Sequence, residues 1–210
     1  MNAMTLPSAR FLPALAFPLL ISMAFVAVPS RAHEGTDHQH HQASAAEPLK
    51  RSQARYEVPD VVLTDAGGNK RSLRTVLADK TPLMLNFIFT TCTSVCPVMS
   101  GVFTQVQSRF NKQGQRVRMV SISIDPEYDT PARLKDYAKN FSAGPDWLML
   151  TGRVQDSVAV QRAFDAYRGD KMSHEAITYL RGSSDQTWLR LDGLASADEL
   201  VTEYRRLTDH

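Results

Sequence analysis

The chain has 210 residues, with 24 Lys and Arg set against 22 Asp and Glu, and only two cysteines. A net charge of +2 excludes a nucleic-acid surface built on excess base, and two cysteines are too few for a disulfide scaffold. The N-terminus differs from the rest. Residues 11–28 are apolar without a charge, Arg10 precedes them, and Ser30-Arg31-Ala32 puts small residues at a cleavage spacing. Residues 1–32 therefore read as an export signal peptide. The competing reading is a retained membrane anchor, although the run is short for a span and is interrupted by Pro13 and Pro18. Either reading places the remainder in the periplasm or another oxidising compartment, where a disulfide persists. Loss of residues 1–32 removes Arg10 and Arg31 and no acid, so the mature net charge falls to 0. What is left suffices for one domain that buries about 70% of its unfolded surface.

Residues 33–54 are polar, contain His33, His38, His40 and His41, and show no apolar periodicity, which predicts a disordered linker. Cleavage after Ala32 gives His33 a free amine. Amine, imidazole and the His38-Gln39-His40-His41 cluster then suit an auxiliary Cu(II) or Ni(II) site. A solvated tail that is merely His-rich fits equally well.

The folded domain is expected over 55–210. Val58–Leu63 and the residues after Ala66-Gly67-Gly68-Asn69 predict a hairpin, followed by a short helix around Leu73–Leu77. The apolar run at 83–89 has the length and aromatic content of a buried strand. A helix follows from Pro97, a residue suited to the first helical position, with Met99, Val102, Phe103, Val106 and Phe110 on one face. Val117–Ile124 reads as a strand, and Thr130-Pro131 as the capped start of a helix over 131–141. Trp147–Leu150 gives a strand, 154–167 a helix, 176–180 and 187–191 a hairpin, and Ser196–Leu207 a final helix. This order defines an α/β fold, a central mixed sheet flanked by helices, with an N-terminal hairpin.

Both cysteines, Cys92 and Cys96, fall between the strand at 83–89 and the helix at Pro97. The exposed N–H groups and positive end of that helix favour thiolate over thiol. A disulfide needs Cβ atoms about 3.5–4.5 Å apart, whereas helical neighbours four residues apart sit at about 5–6 Å, so at least Cys92 must lie off the helix. A plain structural disulfide would close a short loop and stabilise little.

Phe89-Thr90-Thr91-Cys92-Thr93-Ser94-Val95-Cys96-Pro97 resembles the Cys-x-x-x-Cys-Pro signature of the SCO/SenC family. Three further segments match in order: Ser123-Ile124-Asp125-Pro126-Glu127-Tyr128-Asp129-Thr130-Pro131, Trp147–Gly152 and Ser173–Leu180. The resemblance covers roughly residues 56–207. It implies a thioredoxin-like fold with a copper site of two cysteines and one histidine, Cys92, Cys96 and His174. It also implies delivery of copper to cytochrome c oxidase, or reduction of that enzyme's copper-binding cysteines. The expected partners are then a copper-accepting apoprotein, such as an oxidase subunit, and a thiol reductant. No nucleic acid is expected, and membrane contact only if the N-terminal segment is retained.

Two thiolates and an imidazole suit Cu(I), Cu(II) or Zn, and three protein ligands leave the ion open to exchange. Metal and disulfide exclude one another, so redox state would gate loading. His174 appears where thioredoxin-like oxidoreductases commonly carry a Pro. Ser173 departs from the family's usual Asp, which removes a carboxylate partner for the imidazole. The resemblance places Asp125 near the cysteines, to modulate docking or redox chemistry; its other reading is a turn residue before Pro126. Asp129 and Thr130 read as capping residues, and Met84, Met99, Met119 and Met149 as core. The expected function is an exported copper chaperone. The alternative is a thiol–disulfide oxidoreductase in which Cys92 attacks and Cys96 resolves. A thiol peroxidase is disfavoured: Phe89-Thr90-Thr91-Cys92 loosely resembles the peroxiredoxin active-site turn, but that motif's upstream Pro is absent at the expected spacing and no Arg is identifiable as its partner.

Overall fold

The computed structural model describes residues 48–78, 80–183 and 187–208. The apolar N-terminal segment and the histidines at 33, 38, 40 and 41 lie outside the described residues. In chain order the elements are β1 (Lys50–Arg55), β2 (Val62–Asp65), β3 (Lys70–Ser72), α1 (Leu73–Ala78), β4 (Leu83–Ile88) and α2 (Val95–Lys112). They continue with β5 (Arg118–Ser123), α3 (Pro131–Asn140), β6 (Trp147–Thr151), α4 (Val154–Ala163), a single 3-10 turn (Lys171–Ser173), β7 (Ile177–Arg181), β8 (Thr187–Asp192) and α5 (Ala197–Thr208).

All six residues of β4 are buried. Met84 and Ile88 enter a core shared with Phe103 and Val106 of α2, Leu134 of α3 and Leu200 of α5. Leu83, Leu85 and Phe87 enter a second core with Leu73 and Leu77 of α1 and Val160 of α4. A strand covered on both faces needs apolar side chains at successive positions, which is why this run does not alternate. β4 pairs in parallel with β5, and β5 with β6. Its other edge pairs antiparallel with β7, giving the eight-stranded mixed order β1-β8-β7-β4-β5-β6-β2-β3. Met84, Met99, Met119 and Met149 are all buried.

The N-terminal hairpin forms as β2 and β3, but its first strand starts at Val62 and not at Val58. Pro59 lacks an N–H, and Val61 N folds back onto Pro59 O at 3.1 Å, so the preceding residues are bent. The turn is held by the Asp65 carboxylate, whose Oδ1 accepts from Gly67 N and Asn69 N at 2.9 and 2.8 Å. Helix α4 stops at Ala163, short of 167. Asp165 takes φ 52°, and Ala166 N reaches back to Gln161 O at 2.8 Å, a left-handed terminus without glycine.

The expected linker over 33–54 is corrected at its end. Lys50–Arg55 forms β1, paired antiparallel along β8 from Lys50↔Asp192 to Arg55↔Thr187. Its Lys-Arg-Ser-Gln-Ala-Arg sequence shows no period because the strand is an exposed edge, held by backbone pairing and not by an apolar face. Arg51 secures it to α5, with Nε donating to Glu203 Oε1 at 2.9 Å. A chain beginning at Tyr56 is therefore expected to lose about 2 kcal/mol or more of stability and to self-associate through the bared β8 edge. Thermal melting and light scattering against a chain beginning at Ala45 measure this; equal melting and no association would contradict it.

Candidate metal and redox centre

After Ile88 the chain turns through Phe89–Cys92, where Cys92 N donates to Phe89 O at 3.1 Å. Helix α2 begins at Val95, two residues earlier than Pro97 predicts. Pro97 remains inside the first turn, where an N–H has no intrahelical partner to lose. Cys96 is thereby helical and Cys92 lies outside, as disulfide geometry requires. The unpaired N–H of Cys96 donates to Cys92 Sγ at 3.4 Å, and Ser94 Oγ lies 3.7 Å from the same sulfur. Both cysteines are buried free thiols.

Their acidities diverge. Burial opposes ionisation of Cys92, but hydrogen bonds from the Cys96 and Ser94 backbone, then from their side chains, outweigh it and bring the thiol below its ordinary pKa. Cys96 is pushed far above that value. Burial is the main cause, and the nearby Cys92 and Asp129 charges add to it against a hydrogen bond with the Phe89 backbone. One sulfur is ready to be a nucleophile or ligand while the other keeps its proton.

His174 follows the Lys171–Ser173 turn and precedes β7. Antiparallel pairing brings the start of β7 to the end of β4, so its imidazole meets the Phe89 ring edge-on, with centroids 6.4 Å apart. His174 Nε2 lies 3.0 Å from Phe87 O. A carbonyl only accepts, so Nε2 carries the hydrogen and Nδ1 holds the lone pair. Burial lowers the imidazole pKa, against the opposing effects of the Phe87 carbonyl and Glu175, and the ring is neutral at pH 7. Among the described residues no three His, Cys, Asp or Glu side chains are grouped so as to hold a metal. The two sulfurs are thus together, and the imidazole stands at the same corner without joining them.

Thr130 caps α3, accepting from Arg133 N at 3.4 Å. The capping role expected of Asp129 is corrected: Thr130 is the cap, and Asp129 turns inward. Its carboxylate is wholly buried and accepts from Thr90 N at 3.2 Å, from Thr90 Oγ1, and from Ser123 Oγ at 2.6 Å. Burial raises its pKa despite these donors. Sequence reasoning missed this role; the only signal was an acid standing six residues after the strand serine that it grips. Asp125 bonds Lys171 Nζ through Oδ2 at 2.6 Å, joining the β5–α3 loop to the turn that carries His174. A separate cleft of about 1100 Å³ lies at the opposite end of the sheet. Two of its cations are paired, Arg116 with Asp146 of the same lining and Arg71 with Asp65 outside it.

A mixed sheet between two helical layers, with a dithiol at the strand-to-helix corner, defines a thioredoxin-like protein. The chain belongs to the SCO1/SenC family, whose model matches residues 50–209. It is 27% identical over 161 residues to the SCO1 protein homolog of Bacillus subtilis, covering 71% of this chain and 82% of that one. It is 33% identical over 133 residues to an SCO2-like protein of Rickettsia conorii, covering 59% of this chain and 63% of that one. Among solved structures, BsSco, a member of the Sco family of cytochrome c oxidase assembly proteins in which a disulfide switch was identified, matches with TM-score 0.61 and 27% identity. That match covers 73% of this chain and 94% of that one. Bradyrhizobium japonicum ScoI with copper bound matches with TM-score 0.58 and 24% identity over 73% and 98% of the two chains, a likeness of fold.

Two outcomes follow from this geometry. Iodoacetamide should label Cys92 with a pH midpoint below that of a free thiol, the rate rising as pH climbs through it, while Cys96 stays unlabelled. Cys92→Ser should abolish labelling, and mass spectrometry locates the adduct. Asp129→Ala strands the donors of Thr90 and Ser123 and should cost about 3 kcal/mol by denaturant melting; a loss under 1 kcal/mol would remove it as the anchor of the turn.

Proposed function

We propose that the protein is an exported copper chaperone that takes one copper ion on Cys92, Cys96 and His174 and passes it to a copper-accepting apoprotein of a respiratory oxidase. The observation that carries this reading is the paired sulfurs at the N-terminus of α2, 3.4 Å from Cys92 Sγ to Cys96 N, with a neutral imidazole at the same corner. Copper is cargo here. Two thiolates and a nitrogen hold Cu(I) firmly yet leave it open to an incoming ligand, and ligand exchange then moves the ion stepwise. Loading requires Cys96 to lose its proton and His174 to close on the sulfurs. Copper bound in related structures and the family's place in oxidase assembly support the choice of metal and recipient. His33, His38, His40 and His41 are proposed as an auxiliary site that gathers metal.

A second reading rests on the opposed acidities. The Cys92 thiolate attacks a partner disulfide, forming a mixed disulfide and releasing one partner thiolate. Cys96 then gives up its proton and attacks Cys92 Sγ, releasing the second partner thiolate. Two electrons pass to the partner and a Cys92–Cys96 disulfide remains. The same pair would thus reduce an acceptor's cysteines and, while itself reduced, supply them with copper.

Copper titration of reduced full-length protein, with His33, His38, His40 and His41 replaced by alanine, tests the first reading. One ion should bind; Cys92→Ser or Cys96→Ser should abolish tight binding, and His174→Ala should weaken it at least about tenfold. Unchanged affinity after His174→Ala would remove the imidazole from the site. The excess copper bound by the chain with its tail histidines intact measures the auxiliary site.

A further inference from the structure

The turn that carries His174 is fastened at two points. His174 Nε2–H is given to Phe87 O at 3.0 Å. Three residues earlier, Lys171 Nζ reaches across to Asp125 Oδ2 at 2.6 Å, with its ammonium 5.8 Å from the centre of the Phe89 ring. The Asp125 side chain is only 12% exposed, so this pair is better shielded than an ordinary surface contact. Asp125 itself does not swing freely. Its N–H donates to Ser123 Oγ at 3.0 Å, and its carbonyl accepts from Asp129 N at 2.8 Å. Within the turn, Met172 N donates to Asp170 Oδ1 at 2.6 Å, and Ser173 N and His174 N donate to Asp170 O and Lys171 O at 3.1 and 3.2 Å. The turn is a small rigid piece hooked to a fixed carboxylate.

We infer that Lys171 is a positioning residue: its ion pair with Asp125 is a latch that holds His174 off the cysteines, so that the dithiol is presented first and the third copper ligand closes only after the latch opens. This rests on the copper-carrier reading and deepens it. With the latch shut, no three metal-binding side chains are grouped among the described residues, and the Cys92 sulfur is left for exchange with a partner. With it open, the turn can carry the imidazole to the sulfurs. Binding to a state populated only in part is weakened by that fraction, so breaking the latch should strengthen copper uptake rather than impair it.

The sign separates this device from the obvious rivals. If Lys171 acted only by repelling a cationic metal, Lys171→Met would speed uptake while Asp125→Asn slowed it. If either residue merely stabilised the site, both changes would slow it. A latch predicts that both speed it. The test uses stopped-flow Cu(I) transfer from a chelator to reduced full-length protein lacking the four tail histidines. Lys171→Met and Asp125→Asn should each raise the apparent rate and affinity about threefold. The double variant should gain no more than either single one, and Lys171→Arg should stay near the parent. Opposite signs for the two single variants, or a decrease in both, would overturn the latch. Amide hydrogen exchange at Met172, Ser173 and His174 in the metal-free protein reads the same opening without copper. It should be faster in both single variants, and unchanged exchange would overturn the proposal whatever the copper data show. Faster exchange with no copper bound by any form would keep the latch and sink the carrier reading instead.

Discussion

The site depends on a carboxylate that never meets solvent. Asp129 grips the backbone and hydroxyl of Thr90, just past β4, and the hydroxyl of Ser123, the last residue of β5. It therefore fixes the ends of two adjacent parallel strands relative to one another. Thr90 opens the turn into Cys92; Ser123 Oγ also receives the N–H of Asp125. From one buried anion the constraint runs one way to the sulfurs and the other way, through Asp125 and Lys171, to the turn bearing His174. A buried charge costs free energy unless donors surround it, and its donors here are the groups whose positions matter for the chemistry. The raised pKa of Asp129 reflects what burial costs its charged form, offset in part by the donors of Thr90 and Ser123.

The sulfurs are differentiated by four residues of chain. Cys92 lies off the helix, where the N–H of Cys96 in the first turn of α2 points at it; Cys96 lies inside the helix, walled in by the core. Cys96 sits in the first turn of the same helix, but burial of its sulfur outweighs what that polar terminus offers. One sulfur can thus begin either reaction, and the second joins only when its proton is taken. In the two proposed readings, metal capture and disulfide exchange would share this first step and diverge at the second, when the Cys96 sulfur would meet either an ion held by Cys92 or the Cys92 sulfur in a mixed disulfide.

Much of this was legible in the sequence because the decisive interactions were local or periodic. The unbroken run at Leu83–Ile88 announced a strand buried on both faces, Thr130-Pro131 announced a capped helix, and Cys92 and Cys96 announced a reactive corner. The hidden parts owe their form to contacts distant in sequence. Lys50–Arg55 has no apolar pattern, since β8 supplies its hydrogen bonds. Helix α4 ends on a left-handed Asp165 where a glycine would have given warning. Asp129 looks like a cap beside Thr130, and only the folded chain shows Thr90 above it. The two extra residues at the head of α2 were masked by Pro97, which fits anywhere in the first turn.

The distance between His174 and the cysteines in the sequence is bridged by register. β4 and β7 run antiparallel with Asn86 opposite Thr178. Continued past the strand ends, that register sets His174 across from Thr90, the residue that Asp129 holds. Register is in turn specified by the two cores, because a slip of one residue would turn Tyr179 away from the aromatic cluster of Phe87 and Phe164 and send Leu180 to the wrong face. The imidazole is thus placed at the dithiol corner by the packing of strands far from any sulfur. Only its last movement is left to the turn before it, and that short segment is where an ion pair such as Asp125–Lys171 has enough leverage to matter.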